Sequence, residues 1–269
     1  MVEPEIRAYY ERNAERDRLA SGARRVEFLR VRELLARHLP SPPATVFDVG
    51  GGAGVYAIPL AADGYEVHLI DAVPLLVEQA AEAARAAGVS LASTTVGDAR
   101  SLDSADGTAD AVLMFGPLYH LTSAADRAAA LREARRVTRP GGVVAAMALS
   151  RFYPMFEELA GGLTGPARGT ASYLGDGQYR NPAGDVSAFT TSYFHRPEEL
   201  AAEVRDAGLV LDRIAGANGI VKLLLPDLAE RLADAPRREE VLSLLRLLET
   251  EPSLLGSSQN LVAITRAPA

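Results

Sequence analysis

Thr45 to Ala61 reads TVFDVGGGAGVYAIPLA. Its first five residues, Thr45 to Val49, are β-branched or aromatic around one acid, the composition of a buried strand. Four glycines follow in five positions, Gly50, Gly51, Gly52 and Gly54, and a helical apolar pattern resumes with Val55, Ile58 and Leu60. A strand that turns through glycines into a helix brings bare backbone, and the positive end of a helix, up to a ligand. A molecule with a nucleotide-like shape is expected on that turn.

Spacing separates two cofactor classes. The dinucleotide fingerprint G-x-G-x-x-G fails from Gly50, where its third glycine falls on Val55, and starts late from Gly52 (Gly52, Gly54, Ala57). The pattern acidic-x-G-x-G-x-G is filled by Asp48, Gly50, Gly52 and Gly54. In this it resembles motif I of the class I S-adenosylmethionine (SAM) dependent methyltransferases. The alternative is a glycine turn that holds no ligand.

Outward from this stretch the pattern alternates. Residues 3–38 read as helical, with an Ile6, Tyr9, Tyr10, Asn13 stripe and a second stripe from Val26 to Leu35, broken near Gly22 and closed by Pro40, Pro42 and Pro43. Tyr9 and Tyr10 either cap a site or pack the first helix. After a helix over 54–63, the second strand, Glu66–Ile70, ends in Asp71, where a carboxylate can accept from both hydroxyls of a ribose. A helix from Leu75 to Ala87 leads to a third strand, Leu91–Val96, and Gly97-Asp98-Ala99. The fourth strand, Ala109–Phe115, runs into Gly116-Pro117-Leu118-Tyr119-His120-Leu121. A helix over 123–137 and Arg139-Pro140-Gly141-Gly142 precede the fifth strand, Val143–Leu149.

The Gly-Asp-Ala, Gly-Pro-Leu-Tyr-His-Leu and Arg-Pro-Gly-Gly segments resemble a small-molecule subfamily of class I methyltransferases over residues 45–149. The resemblance implies an α/β, Rossmann-like sheet of order 3-2-1-4-5-7-6 with the last strand antiparallel. It also implies SAM as cofactor, released as S-adenosylhomocysteine, with Asp98 accepting the adenine amino group. The cofactor-binding set it implies is Asp48, Gly50, Gly51, Gly52, Gly54, Asp71, Ala72, Asp98, Ala99, Phe115, Gly116 and Tyr10.

Residues 150–195 break the alternation. They hold eight of the sixteen aromatics, and Gly161, Gly162, Gly165, Pro166, Gly175, Gly177, Pro182 and Gly184 interrupt any periodicity. A lid over the substrate is expected here, the alternative being a packing subdomain. Tyr9, Tyr119, Phe152, Tyr153, Phe156, Tyr179 and Tyr193 are the candidate substrate contacts. A helix from Pro197 to Gly208, a strand Leu209–Ile214, helices near 226–234 and 236–249 and a strand Leu261–Arg266 complete the pattern. Relatives often carry a histidine before the last strand, where Gln259 and Asn260 stand here. The whole is read as one domain: helical cap 1–40, cofactor core 41–149, lid 150–195 and returning core 196–269.

Of four histidines, His38 and His68 read as structural, while His120 and His195 are the candidate general bases, each with a core or capping hydrogen bond as its alternative. The net charge of −7 and the lack of a basic run argue against nucleic acid, and with no cysteine there is neither disulfide nor thiolate metal site. With no signal peptide or long apolar run, a cytoplasmic protein with no membrane role, no metal and a small, partly apolar or aromatic substrate is expected, its oligomeric state open. The acceptor is O, N or C. The rival functions are an NAD(P) oxidoreductase and a SAM-binding protein that rearranges or regulates without methylating.

Overall fold

The computed structural model describes residues 3–12, 19, 22–161, 170–181 and 189–269. The strands are β1 (Thr45–Val49), β2 (Glu66–Asp71), β3 (Ser93–Val96), β4 (Ala109–Met114), β5 (Thr138–Ser150), β6 (Gln178–Tyr179), β7 (Ser192–His195), β8 (Val210–Gly216) and β9 (Asn260–Arg266). The α-helices are α1 (Pro4–Glu11), α2 (Arg25–His38), α3 (Ala57–Ala62), α4 (Pro74–Ala86), α5 (Pro117–His120), α6 (Ala124–Val137) and α7 (Tyr153–Ala160). They continue with α8 (Thr170–Asp176), α9 (Pro197–Asp206), α10 (Val221–Leu224), α11 (Leu228–Ala233), α12 (Ala235–Leu248) and α13 (Pro252–Leu255).

Alternate residues of each central strand enter opposite cores, so the sheet is covered on both faces. Val46, Leu69, Ala111, Leu113, Ala145 and Ile264 share one cluster with Val31, Leu34 and Leu35 of α2. Phe47, Val49, Val112, Met114, Val144 and Ala263 share the other with Leu131 of α6 and Leu200 of α9. β1 pairs in parallel with β2 and β4, β2 with β3, and β4 with β5. β9 lies antiparallel between β5 and β8. The order β3-β2-β1-β4-β5-β9-β8 is the expected one, with β8 and β9 as the sixth and seventh strands of that scheme.

Several boundaries differ from the expectation. The N-terminal helical region is two helices, and a short 3-10 turn, Gly22–Arg24, precedes the second. The Asn13 end of the first stripe lies outside the described residues. β5 starts at Thr138, ahead of the expected Arg139–Gly142 turn and taking it in, because Thr138 pairs with Ala109 and a register shift before Ala111 absorbs the intervening residues. The 150–195 segment does not stay apart from the sheet. Its end, β7, pairs with the last residues of β5 (Leu149 with Phe194, Ser150 with His195), and β6 pairs antiparallel with β7. Gly162, Gly165, Pro166, Pro182 and Gly184 lie outside the described residues.

Candidate active site

The C-terminal tips of β1, β2 and β4 carry the site, because a parallel sheet ends there in turns that can face a ligand. Gly50 follows β1 at φ +76°, and its N–H donates to the Ile70 carbonyl (2.7 Å). A Cβ on Gly50 would fall 2.5 Å from Pro117 Cδ, while one on Gly116 would fall 3.1 Å from the Gly50 carbonyl oxygen. The β1 and β4 turns therefore touch backbone to backbone. At Gly52, φ +56°, a Cβ would meet nothing within 4 Å. That open face is part of a cavity of about 260 Å³.

Asp71 ends β2 beneath this turn. Gly52 N–H donates to its Oδ2 and Val73 N–H to its Oδ1, both at 2.9 Å. Each carboxylate oxygen has a second lone pair, so both hydroxyls of a ribose can still be received. Burial raises the Asp71 pKa, and the N–H groups of Val73, Gly52 and Ala72 hold the rise back. Asp48 is fully buried, and neither oxygen meets a donor at good hydrogen-bond geometry. Burial, and then the negative charge of Asp71, push its carboxyl up to about 7, with the Ala57 N–H acting against them. Asp98 lies in the same wall, gripped by Arg100, whose Nη2 donates to Oδ2 (2.6 Å) and whose Nε donates to Oδ1 (2.9 Å). Those bonds hold its carboxyl well below the usual range. Arg100 also reaches Asp126 of α6 (3.2 Å).

Eleven of the twelve expected cofactor residues line this one cavity; Gly54 stands behind it, where a Cβ would meet Ile58 and Ala80. The residues present fit SAM. A glycine cradle opens at Gly52, a buried carboxylate ends β2, and the buried Asp48 carboxyl lies beneath the turn, where a cation would favour its ionised form.

The opposite half of the cavity is mostly apolar and aromatic: Ile6, Tyr10, Leu19, Tyr56, Phe115, Tyr119, His120 and Met147. Tyr10 Oη and His120 Nε2 are 2.6 Å apart, and His120 Nδ1 is 3.5 Å from the Thr191 carbonyl. Burial pushes the His120 pKa down to about 4. Helix α1 is held over the cavity by Glu5, which meets the Thr191 hydroxyl with its carboxylate and the Thr190 hydroxyl with its carbonyl.

The structure separates the two candidate bases. His195 is fully buried, does not line the cavity, and meets Glu203 Oε2 through Nε2 (3.1 Å). Glu203 in turn receives Arg127 Nη2 (2.7 Å) and Nε (2.9 Å). Arg127 Nη1 donates to the carbonyls of Leu121 (3.0 Å) and Thr122 (2.9 Å), fastening the far end of the turn that carries His120. His195 thus belongs to a buried support.

Among the candidate substrate contacts only Tyr119 lines the cavity. Tyr193 packs between Arg127, 3.6 Å above its ring, and Arg151 at 5.7 Å. Tyr9 packs edge-on against Tyr10 and Phe189. Phe152 lies beneath Arg196, Tyr153 beneath Lys222, and Tyr179 against Phe194. Phe156 is on α7 with Phe152 and Tyr153 at its start, also outside the lining. These aromatics pack on one another and on the cationic side chains of Arg127, Arg151, Arg196 and Lys222. Leu19, Tyr56 and Met147 were missed because nothing local in the sequence marks which apolar side chain faces a cavity. Arg100, two residues past Asp98, carried a signal in its position alone.

Residues 46–142 match a protein family described as "Methyltransferase domain". A curated relative, the ubiquinone biosynthesis O-methyltransferase of Methylocella silvestris, is 33% identical over 147 residues, 49% of this chain and 54% of that protein. The chain therefore spans about half the length of the curated relative it matches. A SAM-dependent methyltransferase structure from Methanosarcina mazei superposes with TM-score 0.59 at 18% identity, covering 87% of this chain and 97% of its own. The structure of the [4+2]-cyclase SpnF superposes with TM-score 0.57 at 20% identity, covering 89% and 80%. Residues 46–142 carry the methyltransferase-domain match on a fold shared with SAM-dependent methyltransferases, and the cofactor these imply is SAM.

Proposed function

We propose that the chain transfers the methyl group of SAM to an O, N or C atom of a small, partly apolar molecule. The observation that carries this reading is a single cavity joining two chemistries. One half offers glycine backbone, Asp71 and Asp98, and the other offers apolar walls around Tyr10 and His120. When bound, SAM supplies a methyl group made electrophilic by a positively charged sulfur.

Asp71 would receive the ribose hydroxyls, Asp98 the adenine amino group beside Arg100, and Gly50–Gly52 the close backbone approach. The ionised form of Asp48 is favoured by a nearby positive charge. The chain's remaining work is orientation and exclusion of water, which can supply about 7–11 kcal/mol of barrier reduction. The relative's name favours oxygen as the acceptor atom. A net charge of −7 favours a small-molecule partner over nucleic acid. Among the described residues no helix is long and apolar enough to cross a membrane.

Calorimetric titration with S-adenosylhomocysteine and with NAD tests the reading: tight binding of the first and none of the second is expected. Binding of NAD alone would overturn it. A second reading keeps SAM binding without methylation, since a [4+2]-cyclase shares this fold. Release of S-adenosylhomocysteine with an acceptor present separates the two.

A further inference from the structure

The Tyr10–His120 contact decides which group can meet the acceptor. A backbone carbonyl only accepts, so His120 Nδ1, facing the Thr191 carbonyl, carries the imidazole proton. Nε2 then holds the lone pair, and Tyr10 donates its hydroxyl proton to it across 2.6 Å. The basic nitrogen is therefore already occupied, and a proton leaving the cavity reaches it through the phenol oxygen of Tyr10. The partners are held from two sides. Tyr10 sits on α1, which Glu5 ties to Thr191, and Thr191 is the residue whose carbonyl fixes the His120 tautomer. Tyr119 stands edge-on to His120, and Phe189 lies tilted against it.

We propose that Tyr10 and His120 form one proton relay in which Tyr10 is the catalytic residue touching the acceptor, and that the acceptor atom is the oxygen of a phenol-type hydroxyl. This rests on the methyl-transfer reading. A lone pair of the acceptor oxygen forms the new bond to the methyl carbon, and the methyl–sulfur bond breaks with its electron pair left on sulfur. The hydroxyl proton passes to Tyr10 Oη while the proton of Tyr10 passes to His120 Nε2. The positive charge lost from sulfur reappears on the imidazolium, whose Nδ1–H still faces the Thr191 carbonyl. The hydroxyl proton becomes strongly acidic as the oxygen–carbon bond forms, so a weakly basic imidazole suffices; burial has made this one weak and keeps it neutral at pH 7. A phenol matches the acidity of Tyr10 itself, whereas a tertiary amine has no proton to hand over. Leu19, Tyr56, Phe115 and Met147 give an aromatic ring apolar walls.

The groups that face His120 are Tyr10 of α1, Tyr119 on its own turn and, through Thr191, Glu5. The test uses the full chain, S-adenosylhomocysteine as the binding probe, and catechol, 4-nitrocatechol and aniline as acceptors, with Tyr10→Phe, His120→Gln and the double variant. Nitrogen NMR of labelled histidine should show the Nδ1–H tautomer, and Tyr10→Phe should shift the Nε2 resonance. Each single variant should lower kcat on the catechols by about 10²-fold or more, and the double variant no further than the worse single one. Circular dichroism should not change in any variant, and His120→Gln should keep its affinity for S-adenosylhomocysteine. An Nε2–H tautomer, full turnover by Tyr10→Phe, multiplying losses, or binding of S-adenosylhomocysteine without methylation of either catechol would each overturn the relay. Failure of S-adenosylhomocysteine to bind instead removes the methyl-transfer reading, and the relay with it.

Discussion

Asp48 should make the unliganded protein less stable as pH rises, and Asp48→Asn should remove that loss. The carboxyl is fully buried beside Asp71, without a hydrogen bond of good geometry, and is pushed up to about 7 from an ordinary 3.8. A raised acid binds its proton more tightly in the folded state, so between pH 4 and pH 7 the folded chain holds the proton that the unfolded chain has released. Stability then falls with pH across that window and levels off above it. Three pK units correspond to about 4 kcal/mol at pH 8. The asparagine amide fills the same space but leaves its own polar atoms unpaired, at a cost of about 1–3 kcal/mol that does not depend on pH. The assay is urea unfolding of both proteins at pH 5, 6, 7 and 8. Asp71, His120 and His195 titrate in both, so the difference between the two curves isolates Asp48. The expected result is a difference that moves by about 2.5 kcal/mol in favour of Asp48→Asn from pH 5 to pH 8. Parallel curves would refute the reasoning and leave Asp48 ionised throughout.

Asp71→Asn should weaken S-adenosylhomocysteine binding by about 1.5–3 kcal/mol in calorimetry, through lost charge-assisted bonds to ribose; an unchanged dissociation constant removes Asp71 from the site. Arg127→Met leaves the partly buried Glu203 without its cation and frees the turn carrying His120. Urea unfolding should show a loss of about 3–5 kcal/mol, and a variant as stable as the parent contradicts the support role. Since the His120 pKa is lowered, the folded chain resists taking up a proton that the unfolded chain accepts, and stability should fall as pH drops from 6.5 to 4. His120→Gln should flatten that limb of a melting-temperature profile, and an unaltered limb assigns it elsewhere. Closure of the 150–195 segment over ligand predicts slower amide exchange there with S-adenosylhomocysteine bound; equal exchange favours simple packing.

Much of the sheet was legible because a strand covered on both faces alternates its side chains between two cores, and β1, β4 and β5 show that apolar run openly. The cofactor half was legible for a related reason: Gly50–Gly52, Asp71 and Asp98 each follow directly on the end of a parallel strand, so position along the chain gives position in space. The acceptor half has no such rule. Tyr9 and Tyr10 are neighbours, yet about 100° of helix separates them, and one turns to Phe189 while the other turns to His120. Tyr193 and His195 look like site residues until Arg127, more than sixty positions away, is seen to claim them. Their partners come from distant segments, and a local pattern carries no trace of that.

Helix α1 supplies Ile6 and Tyr10 to the acceptor half but contributes no strand and no hydrogen-bonded rung to the sheet. On the proposed reading, the helix that meets the acceptor is thus separate from the hydrogen-bonded sheet, tied to it near β7 by Glu5. Substitutions along its inner stripe can be sampled without threatening the sheet, while the fixed Gly50–Gly116 contact keeps the cofactor half unchanged beneath them. For protein engineering this makes residues 4–11 an exchangeable cassette. A chimera that takes this helix from a relative should change which molecules are accepted before it changes how stably the chain folds.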